Sequence, residues 1–131
     1  MRTTLGPGMS TNSVVIERDE PDVAVVVMSG EHDAFRAPQL EERVTELLDE
    51  DLSVVIDLSH ATFLDSVTLF VLIRSRKHAA ARGRGFALQL GDSAGRHVHK
   101  AFELTRLTSV FAIEDTRGAA ITAARVPVGP E

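Results

Sequence analysis

The sequence predicts one α/β domain on a single, mostly parallel sheet, and three observations carry that prediction. Short runs of β-branched and aliphatic residues alternate with amphipathic stretches of helical period along most of the chain. That rhythm implies strand–helix–strand units with right-handed crossovers. The 131 residues suffice for one ordinary core and leave little room for a second. Apolar residues make up 44% and charged residues 25%, the balance of a globular chain rather than a disordered one.

The elements follow in order. Residues 1–13 read as a disordered lead, small, polar and broken by Gly6, Pro7 and Gly8. Residues 14–18 and 23–28, joined by the acidic turn 19–22, form a hairpin, with the first strand as the antiparallel member. The nearly unbroken β-branched run 23–28 predicts a strand buried on both faces. Ala37, Leu40, Val44, Leu47 and Leu48 share one face of a first helix, with Pro38 in its first turn. A third strand, 54–56, runs into a loop over 57–65. The second helix spans 66–82. Its first half, 67–73, is apolar almost all round and predicted to lie inside. Its second half carries Arg74, Arg76, Lys77 and His78 outward, toward a salt link with the acidic first helix, and Gly83 and Gly85 end it. A fourth strand, 86–90, leads to a helix capped by Asp92 or Ser93. Val98, Ala101, Phe102 and Thr105 form its inner face. A fifth strand, 110–113, precedes a small helix capped by Asp115 or Thr116 and ending near Ala124. Residues 125–131 read as a flexible tail, leaving 14–124 as the domain. The order is β-β-α-β-α-β-α-β-α, about five strands and four helices.

Composition excludes several function classes. No apolar run approaches the roughly 20 residues of a membrane span, and the N-terminus lacks the basic-then-apolar order of a secretory signal. A cytoplasmic location is the default expectation. The absence of cysteine excludes disulfides, cysteine-based zinc sites and thiol catalysis. A net charge of −5 lacks the general attraction that nucleic-acid binders have for phosphate backbones. His97 and His99, two apart on a helix, point to different faces and make poor joint metal ligands. Gly83 and Gly85 follow a helix and precede a strand, the reverse of a dinucleotide fingerprint. A triad of Ser66, His60 and Asp57 would lack the G-x-S-x-G elbow and an obvious oxyanion donor. No catalytic residue, metal or cofactor is expected.

The functional end of such a sheet is the carboxyl edge of its strands. Two Asp-bearing loops meet there, 30–36 and 57–65. The segment Phe63-Leu64-Asp65-Ser66-Val67 is the most informative. A small hydroxyl residue stands between an acidic loop end and a strongly apolar helix. One reading is a helix N-cap, worth about 1 kcal/mol. The other is a regulated hydroxyl. A phosphate on Ser66 would add about −1.5 to −2 charges, tolerated at the positive end of a helix dipole and felt as repulsion by the acidic loops.

Several motifs resemble the STAS domain of bacterial anti-sigma factor antagonists. They are Gly30-Glu31-His32-Asp33 followed by Ala37-Pro38 and Leu40, and Asp57-Leu58-Ser59 followed by Phe63-Leu64-Asp65-Ser66 and Leu69. A third is Leu104-Thr105-Arg106-Leu107 with Phe111 and Ile113. The chain carries Ser66-Val67-Thr68 where that family has Ser-Ser-Gly, and Arg106 where it has Gly. The resemblance implies that Ser66 is phosphorylated by a serine kinase that is also the anti-sigma factor. Unphosphorylated antagonist binds the kinase and frees the sigma factor; phosphorylated antagonist lets go, and a serine phosphatase resets it. Thr68 is the alternative phosphosite and Ser59 a weaker third. The resemblance places Glu31, Asp33, Asp57, Ser59, Asp65, Ser66, Val67 and Leu69 on the partner-binding edge. An alternative is a ligand-sensing or scaffold STAS module of a stress-signalling complex.

Overall fold

Residues 2–5, as backbone, and 12–129 are described by a computed structural model. The strands are β1 (Arg2–Leu5), β2 (Ser13–Glu17), β3 (Val23–His32), β4 (Ser53–Leu64), β5 (Phe86–Gln89) and β6 (Ala112–Glu114). They lie side by side in chain order. β1, β2 and β3 pair antiparallel, and β3 through β6 pair parallel. The five predicted strands and the mixed, mostly parallel sheet are all present.

The helices are α1 (Ala37–Asp49), α2 (Ser66–Ala81), α3 (Arg96–Leu104) and α4 (Arg117–Ala124), with a 3₁₀ turn at Leu107–Ser109. Each crossover steps to the next strand in the same direction, so right-handed connections put α1, α2 and α3 on one face. That face holds the larger core, where Ala24, Val26 and Met28 of β3 meet Leu40, Val44 and Leu48 of α1 and Leu72 of α2. The alternate residues Val23, Val25 and Val27 face the other way, into a smaller core closed by Ala120 and Ala124 of α4. Cover on both sides explains why 23–28 shows no polar alternation. The five predicted inner residues of α1 are its buried set. The predicted salt link between α1 and α2 is Arg74 to Glu41 at 2.6 Å, with His78 Nε2 2.7 Å from Asp49.

Several boundaries differ from the sequence reading. β3 and β4 run on through the predicted loops as far as His32 and Leu64. The pairing register shifts between Val27 and Ser29 and again between Gly30 and Glu31, each time with an extra residue in β4. Such bulges let Leu58, Ala61 and Leu64 stay buried although strict alternation is broken. In the predicted lead, residues 2–5 form an edge strand, because β2 would otherwise present a row of unpaired backbone groups. The rest of that lead, 6–11, lies outside the described residues. The predicted tail is held against the domain as far as Val128. Arg125 pairs with Glu20 and Asp22, Val128 N–H donates to the Arg84 carbonyl at 3.0 Å, and Val128 packs on the core. Gly85 permits this docking, since a Cβ there would overlap the Ala124 carbonyl. Gly95, not Asp92 or Ser93, caps α3. Its N–H donates to the Ala61 carbonyl at 2.9 Å, and the closeness of Thr62 leaves no room for a side chain. Thr105 is exposed rather than inward, because α3 ends there. The following turn, through Arg106 at φ 59°, delays the last strand to Ala112.

Candidate functional site

The site is the head of α2 and the β3–α1 loop beside it. Asp65 is the N-cap of α2, in extended backbone. Its Oδ1 accepts the Thr68 N–H and the Thr68 hydroxyl, both at 2.9 Å. Its Oδ2 accepts the Ala34 N–H at 2.7 Å. One carboxylate thus caps the helix and ties it to the loop. Partial burial opposes the charge on Asp65, but the hydrogen bonds from Thr68, Ala34 and Val67 outweigh it and hold its pKa below the usual carboxylate value. Asp33 shapes the loop in turn, accepting the Phe35 N–H at 3.0 Å. The loop's anchor is His32, only 1% exposed, whose Nε2 lies 2.9 Å from the Ser29 carbonyl. Burial lowers the His32 pKa against the raising effect of that hydrogen bond.

Ser66 is the first residue of α2 and is exposed. Thr68 is fully buried with its hydroxyl held by Asp65. Ser59 is buried with its hydroxyl 2.6 Å from Asp57 Oδ1. The expected acidic edge is therefore divided. Glu31, Asp33 and Asp65 stand at the loop end, with Glu31 and Asp33 exposed. Asp57 does not join them: it is 2% exposed and turned toward α4, where Arg117 reaches it at 3.3 Å and Glu17 at 2.7 Å. Its parity on β4 matches Val55, which belongs to the α4-side core. With both Asp57 oxygens engaged by Ser59 and Arg117, it does not orient His60 toward Ser66 as a triad would require.

The first half of α2 is not buried all round. Leu69, Val71 and Leu72 face the core, while Val67 is 40% and Phe70 57% exposed. Phe70, Leu69 and Ile73 line one side of a groove of about 230 Å³, Thr105 and Leu107 the other, and Ser66 forms part of its wall. Phe35, in the loop, and Leu104, at the end of α3, are 90% and 81% exposed. Sequence reasoning missed this apolar surface because a helix apolar on all sides has no periodicity to say which side is left uncovered. Phe63 packs edge-on against His97 of α3, with ring centroids 6.4 Å apart. Among the described residues no cluster of three or more potential ligands could hold a metal ion, and no helix is long and apolar enough to cross a membrane.

Comparison with known proteins matches this geometry. The family model described as STAS domain covers residues 15–120. The anti-sigma-F factor antagonist RsfB of Mycobacterium tuberculosis is 32% identical over 108 residues, 82% of this chain and 85% of that protein. The crystal structure of an anti-sigma factor antagonist from Mycobacterium paratuberculosis superposes with a TM-score of 0.73 at 31% identity, covering 95% of each chain. The Bacillus cell-fate determinant SpoIIAA, solved in its phosphorylated form, shares the fold at a TM-score of 0.62 and 16% identity, over 83% of this chain and 96% of that one. A strand order, a capped α2 head and a family match that span the domain together lead to one assignment: the chain belongs to the STAS domain family.

Proposed function

We propose that this chain is an anti-sigma factor antagonist that binds an anti-sigma serine kinase and is released when Ser66 is phosphorylated. The observation that carries the reading is the contrast among three hydroxyls. Ser66 is exposed at the first turn of α2, whereas Thr68 and Ser59 are buried and hydrogen-bonded to carboxylates. The naming of RsfB and of the M. paratuberculosis protein as anti-sigma factor antagonists supports the role.

In the reaction the γ-phosphoryl group of ATP passes to Ser66 Oγ, ADP leaves, and the hydroxyl proton is lost to solvent. The chain supplies a preformed helix head. Asp65 fixes the first turn, and the free N–H groups there favour an added anion. The helix therefore survives phosphorylation while the exposed face gains about two negative charges. A serine phosphatase acting on the phosphorylated form returns the chain to the binding state. Glu31, Asp33, Asp65, Ser66 and Val67 form the partner face. Asp57 and Ser59 hold α4 and the bulged end of β4 instead, and Leu69 contributes only through the groove. The reading is of a protein that acts in the cytoplasm and binds protein, not nucleic acid or membrane.

The test is phosphorylation of the purified chain by its anti-sigma kinase with ATP, read by mass spectrometry. One phosphate is expected on Ser66, absent in Ser66→Ala and retained in Thr68→Val. Phosphate that persists in Ser66→Ala would overturn the assignment.

A further inference from the structure

We infer that phosphate on Ser66 expels the partner by denying it the apolar groove, not by charge repulsion; this deepens the kinase-binding reading above and rests on it. The occupant of the groove is one uncharged aliphatic or aromatic side chain of the anti-sigma kinase, flanked there by basic groups.

Ser66 stands on the border of two unlike surfaces. On one side is the groove between α2 and the turn after α3. Of its lining residues only Ser66 and Thr105 carry a side-chain polar atom, and the Thr105 hydroxyl is turned to the Ala101 carbonyl. The groove therefore offers an incoming group almost nothing but hydrocarbon. Phe70, more than half exposed on its rim, is the kind of aromatic that stays uncovered when a partner is to cover it. On the other side are Asp65, tied to the β3–α1 loop through Ala34, and the exposed Asp33 of that loop.

Charge complementarity fixes what covers the acidic side. A partner that seats there brings arginine or lysine to these two carboxylates, on a chain whose net charge is already −5. Those same cations attract a phosphate placed beside them. The Coulomb term of phosphorylation then favours the complex, so release must come from the apolar side. A dianion on the groove wall keeps its water, and an apolar side chain cannot enter without stripping that water from a charge. Burial of the apolar side chain is lost, and the partner leaves although the ionic contacts have improved.

The experiment measures the affinity of the kinase for the chain with and without phosphate on Ser66, by calorimetry, from about 0.05 to 0.5 M sodium chloride. The ratio of the two dissociation constants is expected to stay constant or to widen with salt. Phe70→Ala, with unchanged thermal midpoint, should weaken the unphosphorylated complex roughly tenfold and leave the phosphorylated one nearly unchanged; Phe70→Leu should restore most of the loss. A ratio that shrinks severalfold as salt rises overturns the inference in favour of repulsion. So does a Phe70→Ala chain that binds like the wild type. If neither form of the chain binds the kinase at any salt, the kinase-binding reading itself fails and the inference with it, an outcome distinct from a complex that forms but ignores Phe70.

Discussion

At the residue scale, Asp65 does the most with the fewest atoms. Asp65→Ala strips the cap from α2, orphans the Ala34 N–H and leaves the buried Thr68 hydroxyl without its acceptor. A loss of about 1–3 kcal/mol in urea unfolding is expected, together with weaker protection of the α2 first-turn amides in hydrogen exchange. Its neighbour across the sheet, His32, gives a pH signature. The folded pKa lies below the ordinary 6.5 because the ring is buried, so between the two values the unfolded chain binds the proton and the folded chain does not. Stability is then fully present above about pH 6.5 and falls as pH drops from there toward the folded value. His32→Gln should flatten that slope in denaturation curves at pH 7.5 and 5.5. The place of Ser66 at the head of α2 was legible from a hydroxyl between a carboxylate and an apolar helix. The inward turn of Asp57 and Ser59 was not, because it depends on pairing with β3 and on an arginine 60 positions away in sequence.

At the element scale, α2 shows what hydrophobic pattern can and cannot say. The stretch 67–73 correctly marks a helix with a buried side, yet a pattern apolar on all sides does not say which side stays uncovered. The extension of β3 and β4 past the predicted loops has a similar origin. Two bulges disrupt the period of two on which a strand is recognised, so polar Asp57, Ser59 and His60 read as loop. The turn after α3 carries a visible strain. Arg106 is held at φ 59°, ψ 22°, a left-handed conformation that costs a side chain about 1–2 kcal/mol, of which glycine's greater chain entropy would cancel part. Arg106→Gly is expected to stabilise the fold by roughly 0.5–1 kcal/mol, raising the thermal midpoint by a few degrees. An unchanged or lowered midpoint would contradict that account of the turn.

At the scale of the whole molecule, the class, the strand sequence and the placement of α1 through α3 on one face follow from alternating periods and crossover handedness. The ends were less legible, since small and proline-containing residues say little about whether a sheet edge or a core surface is waiting for them. The two faces of the sheet also differ: the exposed Ser66, Val67 and Phe70 gather on α2, while Arg117 on α4 joins Glu17 and Asp57 across the opposite face. Arg117→Ala would remove the cation that pairs with two buried carboxylates, Glu17 and Asp57, while Asp57 keeps its hydrogen bonds from Ser59. Because Arg117 is itself 38% exposed, the expected loss is about 1–3 kcal/mol rather than that of a fully buried pair, and phosphorylation of Ser66 should proceed at the wild-type rate. The most direct measurement of the central claim is displacement. The purified chain is added to a preformed complex of the anti-sigma kinase and its sigma factor, and free sigma is followed by size-exclusion chromatography. Unphosphorylated chain should release sigma in proportion to the amount added, and chain already phosphorylated on Ser66 should release almost none. Equal release by the two forms, or a complex that neither form disturbs, would contradict the account.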